Sequence, residues 1–106
     1  MLNFSDIIRG LTDTIILARL IKGDSYGYQI NKSITELSDN AFELKEATLY
    51  TSFRRLEEKG LISSYWGDET SGARRRYYSI TEDGRKLYME NSQDWQRIRE
   101  LVSALL

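Results

Sequence analysis

Three consecutive arginines, Arg74, Arg75 and Arg76, stand between Gly72 and the aromatic pair Tyr77–Tyr78. Adjacent like charges repel and add little to folding, so the run points to a counter-charge outside the chain. A guanidinium fork matches phosphate oxygens in both spacing and charge. Strand alternation sends Arg74 and Arg76 to one face and Arg75 to the other. A second set, Thr48, Tyr50, Thr51, Arg54 and Arg55, lies in the segment EATLYTSFRRLEE. At helical spacing Leu49, Phe53 and Leu56 share one face. Ala47, Thr51, Arg54, Arg55 and Glu58 then point the other way, with Thr48 and Tyr50 on the flanks. Hydroxyls and guanidiniums on one exposed face are suited to phosphate oxygens and to the edges of bases. Each residue also has a plainer reading. The arginine run can be a solvated turn paired with Asp68 and Glu69, Tyr50 can be half-buried beside Phe53, and Arg55 can pair with Glu58.

Covalent chemistry has little to work with. The chain has no cysteine and no histidine, so thiol chemistry and the commonest general base and metal ligand are missing. No glycine-rich phosphate loop is present, and Asp68 and Glu69 are neighbours on one turn rather than partners across a cleft. A binding protein without catalytic activity, cofactor or metal is expected. The net charge of −1 conceals local clusters and weighs only mildly against a nucleic-acid partner. The start MLNFSDIIRG lacks the pattern of a signal peptide, and the apolar run from Thr14 to Ile21 is interrupted by Arg19 and too short for a bilayer. A cytoplasmic location is expected.

The elements that must position these groups follow from periodicity and punctuation. With 106 residues, 41% of them apolar and 29% charged, the chain suits one small globular domain. Residues Ser5 to Lys22 read as one helix, apolar on more than one side. Gly23-Asp24-Ser25 is a stop and restart, with Asp24 or Ser25 as N-cap of a second helix carrying Tyr26, Ile30, Ile34 and Leu37. Ser38-Asp39-Asn40 ends it. A third helix runs from about Lys45 to Lys59, and Gly60 takes the left-handed position behind it. Strands at Leu61–Trp66 and Arg74–Ile80, joined by a glycine-bounded loop, form a hairpin. Thr81 caps a last helix with Leu87, Asn91, Trp95, Ile98, Val102 and Leu105 on one near-heptad stripe, long for so small a domain. The fold class is therefore mainly α with a small β-hairpin: a winged helix-turn-helix over 1–81 plus a long C-terminal dimerisation helix over 82–106. In that arrangement the third helix enters the major groove and the hairpin is the wing.

The strings EATLYTSFRRLEEKGLISSYW and GDETSGARRRYYSITEDG, with Tyr26-Gly27-Tyr28 upstream, resemble the PadR family of transcriptional regulators. The match is closest to its short multidrug-responsive subfamily and extends from about Asp6 to the last helix. The resemblance implies a homodimer in which each C-terminal helix packs on the partner's terminal helices. It implies binding to a pseudo-palindromic double-stranded DNA operator and repression of the protein's own gene or of a transporter or stress-response gene. It also implies a planar aromatic effector, stacked between two tryptophans across the dimer axis. Trp95 falls at that position. Ile7, Asp13, Thr14 and Ala18 on the first helix, with Asn91 and Arg99 on the last, fall at lining positions. Arg99 departs from the acidic residue suited to a cationic drug and favours a neutral or anionic aromatic. On its residues alone, Trp95 is either a dimer-core side chain or a stacking platform. A winged-helix module that binds protein instead of DNA is the alternative function, and the Glu57-Glu58 pair would suit it.

Overall fold

The structure is a computed structural model, and it describes residues 1–68 and 74–106. The elements run α1 (Phe4–Arg9), α2 (Thr12–Ile21), β1 (Ser25–Tyr26), α3 (Gly27–Leu37), α4 (Glu46–Glu58), β2 (Ile62–Trp66), β3 (Arg76–Ile80) and α5 (Glu82–Leu105). The order is that of a winged helix-turn-helix followed by a long helix, as the periodicity predicts.

The expected single first helix is two helices. Gly10 caps α1, and the Leu11 N–H donates to the carbonyl of Ile8 at 2.8 Å. The Thr12 hydroxyl takes the carbonyl of Arg9 at 2.7 Å, which satisfies an acceptor that the interruption would otherwise orphan. The expected cap at Asp24 or Ser25 is also corrected. Ser25 and Tyr26 form the short strand β1, paired antiparallel with Tyr78 and Tyr77, and α3 starts at Gly27. The hairpin is thereby the larger part of a three-stranded sheet of order β1-β3-β2. Its main ladder runs from Ile62 opposite Ile80 to Trp66 opposite Arg76.

The core gathers one face each from α2, α3, α4 and the sheet. Ile16, Leu17 and Leu20 of α2, Ile30 and Ile34 of α3, and Leu49, Phe53 and Leu56 of α4 are buried, with Ile62, Tyr78 and Ile80 from the sheet. Phe53 stacks on Tyr78 with ring centroids 4.0 Å apart, which fixes α4 against the sheet. Burial holds the Tyr78 phenol above its ordinary pKa, the nearby Arg76 opposing that shift. The turn before α4 is held from within: Asn31 donates to the Leu44 carbonyl at 2.7 Å and accepts from the Leu44 N–H at 3.0 Å. Asp39 and Asn40 take positive φ, 54° and 65°, where short polar side chains are tolerated. Gly60 has φ 72° and ends α4 as expected. The Thr81 hydroxyl accepts from the Gly84 N–H at 3.1 Å and caps α5.

Candidate nucleic-acid interface

The outward face of α4 carries Ala47, Tyr50, Thr51, Arg54 and Glu58, all exposed, with Thr48, Arg55 and Glu57 half-buried beside them. Burial of Leu49, Phe53 and Leu56 dictates this: rotating α4 to hide Arg54 would expose the core. Tyr50 stays partly out, at 42% exposure, with its ring edge-on to Phe53 at 5.6 Å. Its hydroxyl lies over Gly27, where an added Cβ would meet it at 2.8 Å. A glycine at the start of α3 thus leaves room for Tyr50.

Arg55 is engaged within the protein. Its Nε donates to Oδ2 of Asp13 at 2.9 Å and its Nη2 to Oδ1 at 2.5 Å, with a further 3.2 Å bond from Nη2 to the Ser52 hydroxyl. The hydrogen bond to Asp13, and then its charge, raise the Arg55 pKa. The expected alternative partner, Glu58, is not the residue Arg55 meets. Asp13, expected at the effector site, ties α4 to α2 through Arg55.

In the wing, alternation holds. The guanidiniums of Arg74 and Arg76 lie 5.6 and 5.5 Å from the centre of the Trp66 ring, while that of Arg75 lies 4.7 Å from the ring of Tyr26. Tyr77 braces this second face, stacked on Tyr65 at 5.7 Å and edge-on to Tyr26 at 5.4 Å. The Tyr65 hydroxyl donates to Asp24 at 2.6 Å, which raises its pKa. Ring faces attract cations and narrow their range of positions. Arg76 also donates to the Ser64 hydroxyl at 2.7 Å, which in turn donates to Glu57 at 2.5 Å. Glu57 is therefore tied to the hairpin. Arg74, Arg75 and Arg76 border a groove of about 510 Å³ with Tyr26, Tyr50 and Trp66, so wing and α4 share one concave surface. Of the expected turn Gly67–Gly72, residues 69–72 lie outside the described residues. Trp66 and Tyr26 as arginine platforms were not anticipated, although the hairpin register that sets Trp66 opposite Arg76 was within reach of the sequence.

The residues expected around an effector divide between two places. Asn91 donates to the Thr14 hydroxyl at 2.9 Å and joins α5 to α2. Ala18 is half-buried on α2. Trp95 is 38% exposed on α5, Ile7 is exposed on α1, and Arg99 donates to Gln96 at 2.5 Å. Among the described residues no helix is long and apolar enough to cross a membrane.

A profile of the PadR-like family of transcriptional regulators matches residues 16–90. A solved transcriptional regulator from Clostridium thermocellum is similar at 48% identity and TM-score 0.86, covering 93% of this chain and 96% of that one. A PadR family transcription regulator from Clostridium difficile is similar at 38% identity and TM-score 0.81, covering 91% and 98%. An uncharacterized protein of Lysinibacillus sphaericus is 42% identical over 102 residues, which are 96% of this chain and 94% of that protein. The transcriptional regulator YqjI of Escherichia coli is 28% identical over 90 residues, 85% of this chain but 42% of its own length. A family match that runs from α2 into α5, on a winged helix with a hydroxyl- and arginine-bearing α4, has one conclusion: the chain belongs to the PadR-like family of transcriptional regulators and is a DNA-binding regulator.

Proposed function

We propose that this regulator is a homodimeric repressor of its own gene, of a transporter gene or of a stress-response gene, acting in the cytoplasm. Residues 1–81 are the DNA-binding unit and 82–106 the dimerisation helix. Each subunit lays α4 in the major groove through Thr48, Tyr50, Thr51, Arg54 and Arg55, and grips the backbone with Arg74, Arg75 and Arg76. The observation that carries this reading is the shared concave surface of α4 and the wing, lined by three arginines and aromatic rings. Beside it, the outward face of α4 exposes Thr51 and Arg54 rather than an apolar patch, which favours DNA over a protein partner.

Dimerisation is supported by α5. Ile98, Leu101, Val102 and Leu105 are 48, 51, 47 and 83% exposed along it, and Phe4 and Ile7 of α1 are 48 and 53% exposed. Two copies of Trp95 brought together across a two-fold axis sandwich a planar aromatic effector. Ile7, Thr14, Ala18, Asn91 and Arg99 line the space around it, and Arg99 selects a neutral or anionic ring. The effector releases DNA by binding better to the arrangement whose two α4 helices no longer match the half-site spacing.

The test is fluorescence anisotropy across a salt series. The duplexes are the region upstream of the protein's own gene and sites selected from randomised DNA. About six phosphate contacts give a log–log slope of roughly −5, and Arg74→Ala/Arg75→Ala in both subunits flattens it by up to about 3 or 4. Binding no tighter than to a scrambled duplex on every selected site, with no change in the double variant, would end the reading.

A further inference from the structure

A helix in the major groove is bordered by phosphate backbone on both sides, because the groove is about 12 Å wide and a helix with side chains nearly fills it. The wing lies on the Tyr50 side of α4. On the other side, where Thr48, Thr51 and Arg55 project, the end of α1 and α4 border a recess of about 290 Å³. It is lined by Arg9, Thr12, Ala47, Thr48, Thr51, Ser52 and Arg55; its two guanidiniums are paired with Asp6 and Asp13, which do not line it. A neighbouring recess shares Arg9 and Thr48 and adds Ser5 and Lys45, with Glu43 as its one carboxylate.

We propose that this recess between α1 and α4 is a second DNA-backbone seat, which takes a phosphodiester of the strand opposite the one held by the wing. It rests on the DNA-binding reading above and extends it to α1. Three observations fit it. The interruption of the helix at Gly10 is what brings Arg9 here, and the Thr12 hydroxyl fixes that end by bonding the Arg9 carbonyl at 2.7 Å. The two cations differ in freedom. Arg55 is held in place by Asp13, whereas Arg9 pairs at 2.7 Å with Asp6 in an i, i+3 contact whose side chains are 61 and 60% exposed. Such exposed pairs are weak and exchange readily for a better anion. The hydroxyls of Thr48 and Thr51 stand on the face of α4 turned to solvent, where a phosphate oxygen can reach them.

The test uses the full chain in the salt series above, with Arg9→Gln, Arg9→Lys and Thr48→Val beside the wing double variant. Arg9→Gln should reduce the slope by about 2 per dimer and weaken specific and scrambled duplexes by the same factor, on the order of tenfold. Arg9→Lys should keep the slope. Thr48→Val should weaken binding several-fold with the slope unchanged, because a hydroxyl displaces no counter-ion. Arg9 is exposed, so a thermal midpoint near wild type is expected and shows that the variant is folded. A wild-type slope in Arg9→Gln, in the same experiment where the wing variant flattens it, would overturn the seat while leaving the DNA reading intact. Binding of no duplex by the wild type would overturn both. An Arg9-dependent rise of Tm in inorganic phosphate over chloride at equal ionic strength, with an unchanged DNA slope, would assign the recess to free phosphate and overturn its role on DNA.

Discussion

Arg55 and Asp13 show what a residue's type leaves open. At helical spacing Arg55 belongs with Arg54 on the outward face of α4, and the structure keeps it there, half-buried. Its hydrogen bonds, however, run to Asp13, 42 positions away. Nothing local in the sequence pairs two opposite charges at that separation; only the packing of α4 on α2 does. The wing arginines were more legible, since strand alternation alone divides them between two faces. What the sequence did not show was that each face already holds a ring for them. A prediction at this scale concerns the ion pair. Asp13→Ala removes the carboxylate from a pair whose side chains are 42 and 30% exposed. Solvent screening limits the loss to about 1 kcal/mol, read as a lower urea midpoint. The same change frees the Arg55 charge for phosphate, so the salt slope should steepen by up to about 2 per dimer. An unaltered midpoint together with an unaltered slope would show that the pair neither holds α4 nor restrains Arg55.

Among the elements, the long periodic helices and both strands of the hairpin match the sequence reading, while the break between α1 and α2 and the two-residue β1 do not. α4 has an unbroken apolar stripe and α5 one interrupted at Asn91, with a glycine behind the first and a threonine cap before the second, and their positions match expectation within a residue or two. The break between α1 and α2 was missed because Gly10 lies inside a run that remains apolar on both sides. β1 was missed because two residues have no period, and Ser25 looks like a cap until Tyr78 is placed opposite it. The turn between α3 and α4 was seen as punctuation, but its fastening was not. Asn31, one turn into α3, closes a two-bond bridge to Leu44. Asn31→Ala should leave both polar groups of Leu44 without that partner and lower stability by about 1–3 kcal/mol, measured by urea unfolding. Because the bridge sets where α4 begins, DNA affinity should fall beyond the loss of folded protein. A variant as stable as wild type would mean that water replaces the bridge at no loss.

At the scale of the whole molecule, the chain by itself exposes more than a compact monomer should. Its accessible surface is 7633 Å² for 12.4 kDa, where a compact monomer of that mass exposes roughly 6100 Å². Its radius of gyration is 15.1 Å, against roughly 13 Å for a compact chain of this length. The longest run of exposed apolar residues lies along α5. Only Gly84 is fully buried on this 24-residue helix, Leu87 and Tyr88 lean on the core, and Ile98, Leu101, Val102 and Leu105 beyond Trp95 are 47–83% exposed. A stable dimer needs more than about 1000 Å² of buried area, and the excess per subunit is of that order. Leu101→Glu/Val102→Glu should therefore shift the protein from dimer to monomer in sedimentation equilibrium. It should also abolish the rise of Tm with protein concentration that a wild-type dimer shows. The winged-helix unit, whose core lies elsewhere, should keep its secondary structure. Specific DNA binding should fall by orders of magnitude, because a monomer covers one half-site and gives up the added strength of engaging two at once. If the wild type sediments as a monomer at every concentration, the stripe serves some other partner, and the operator need not be a palindrome.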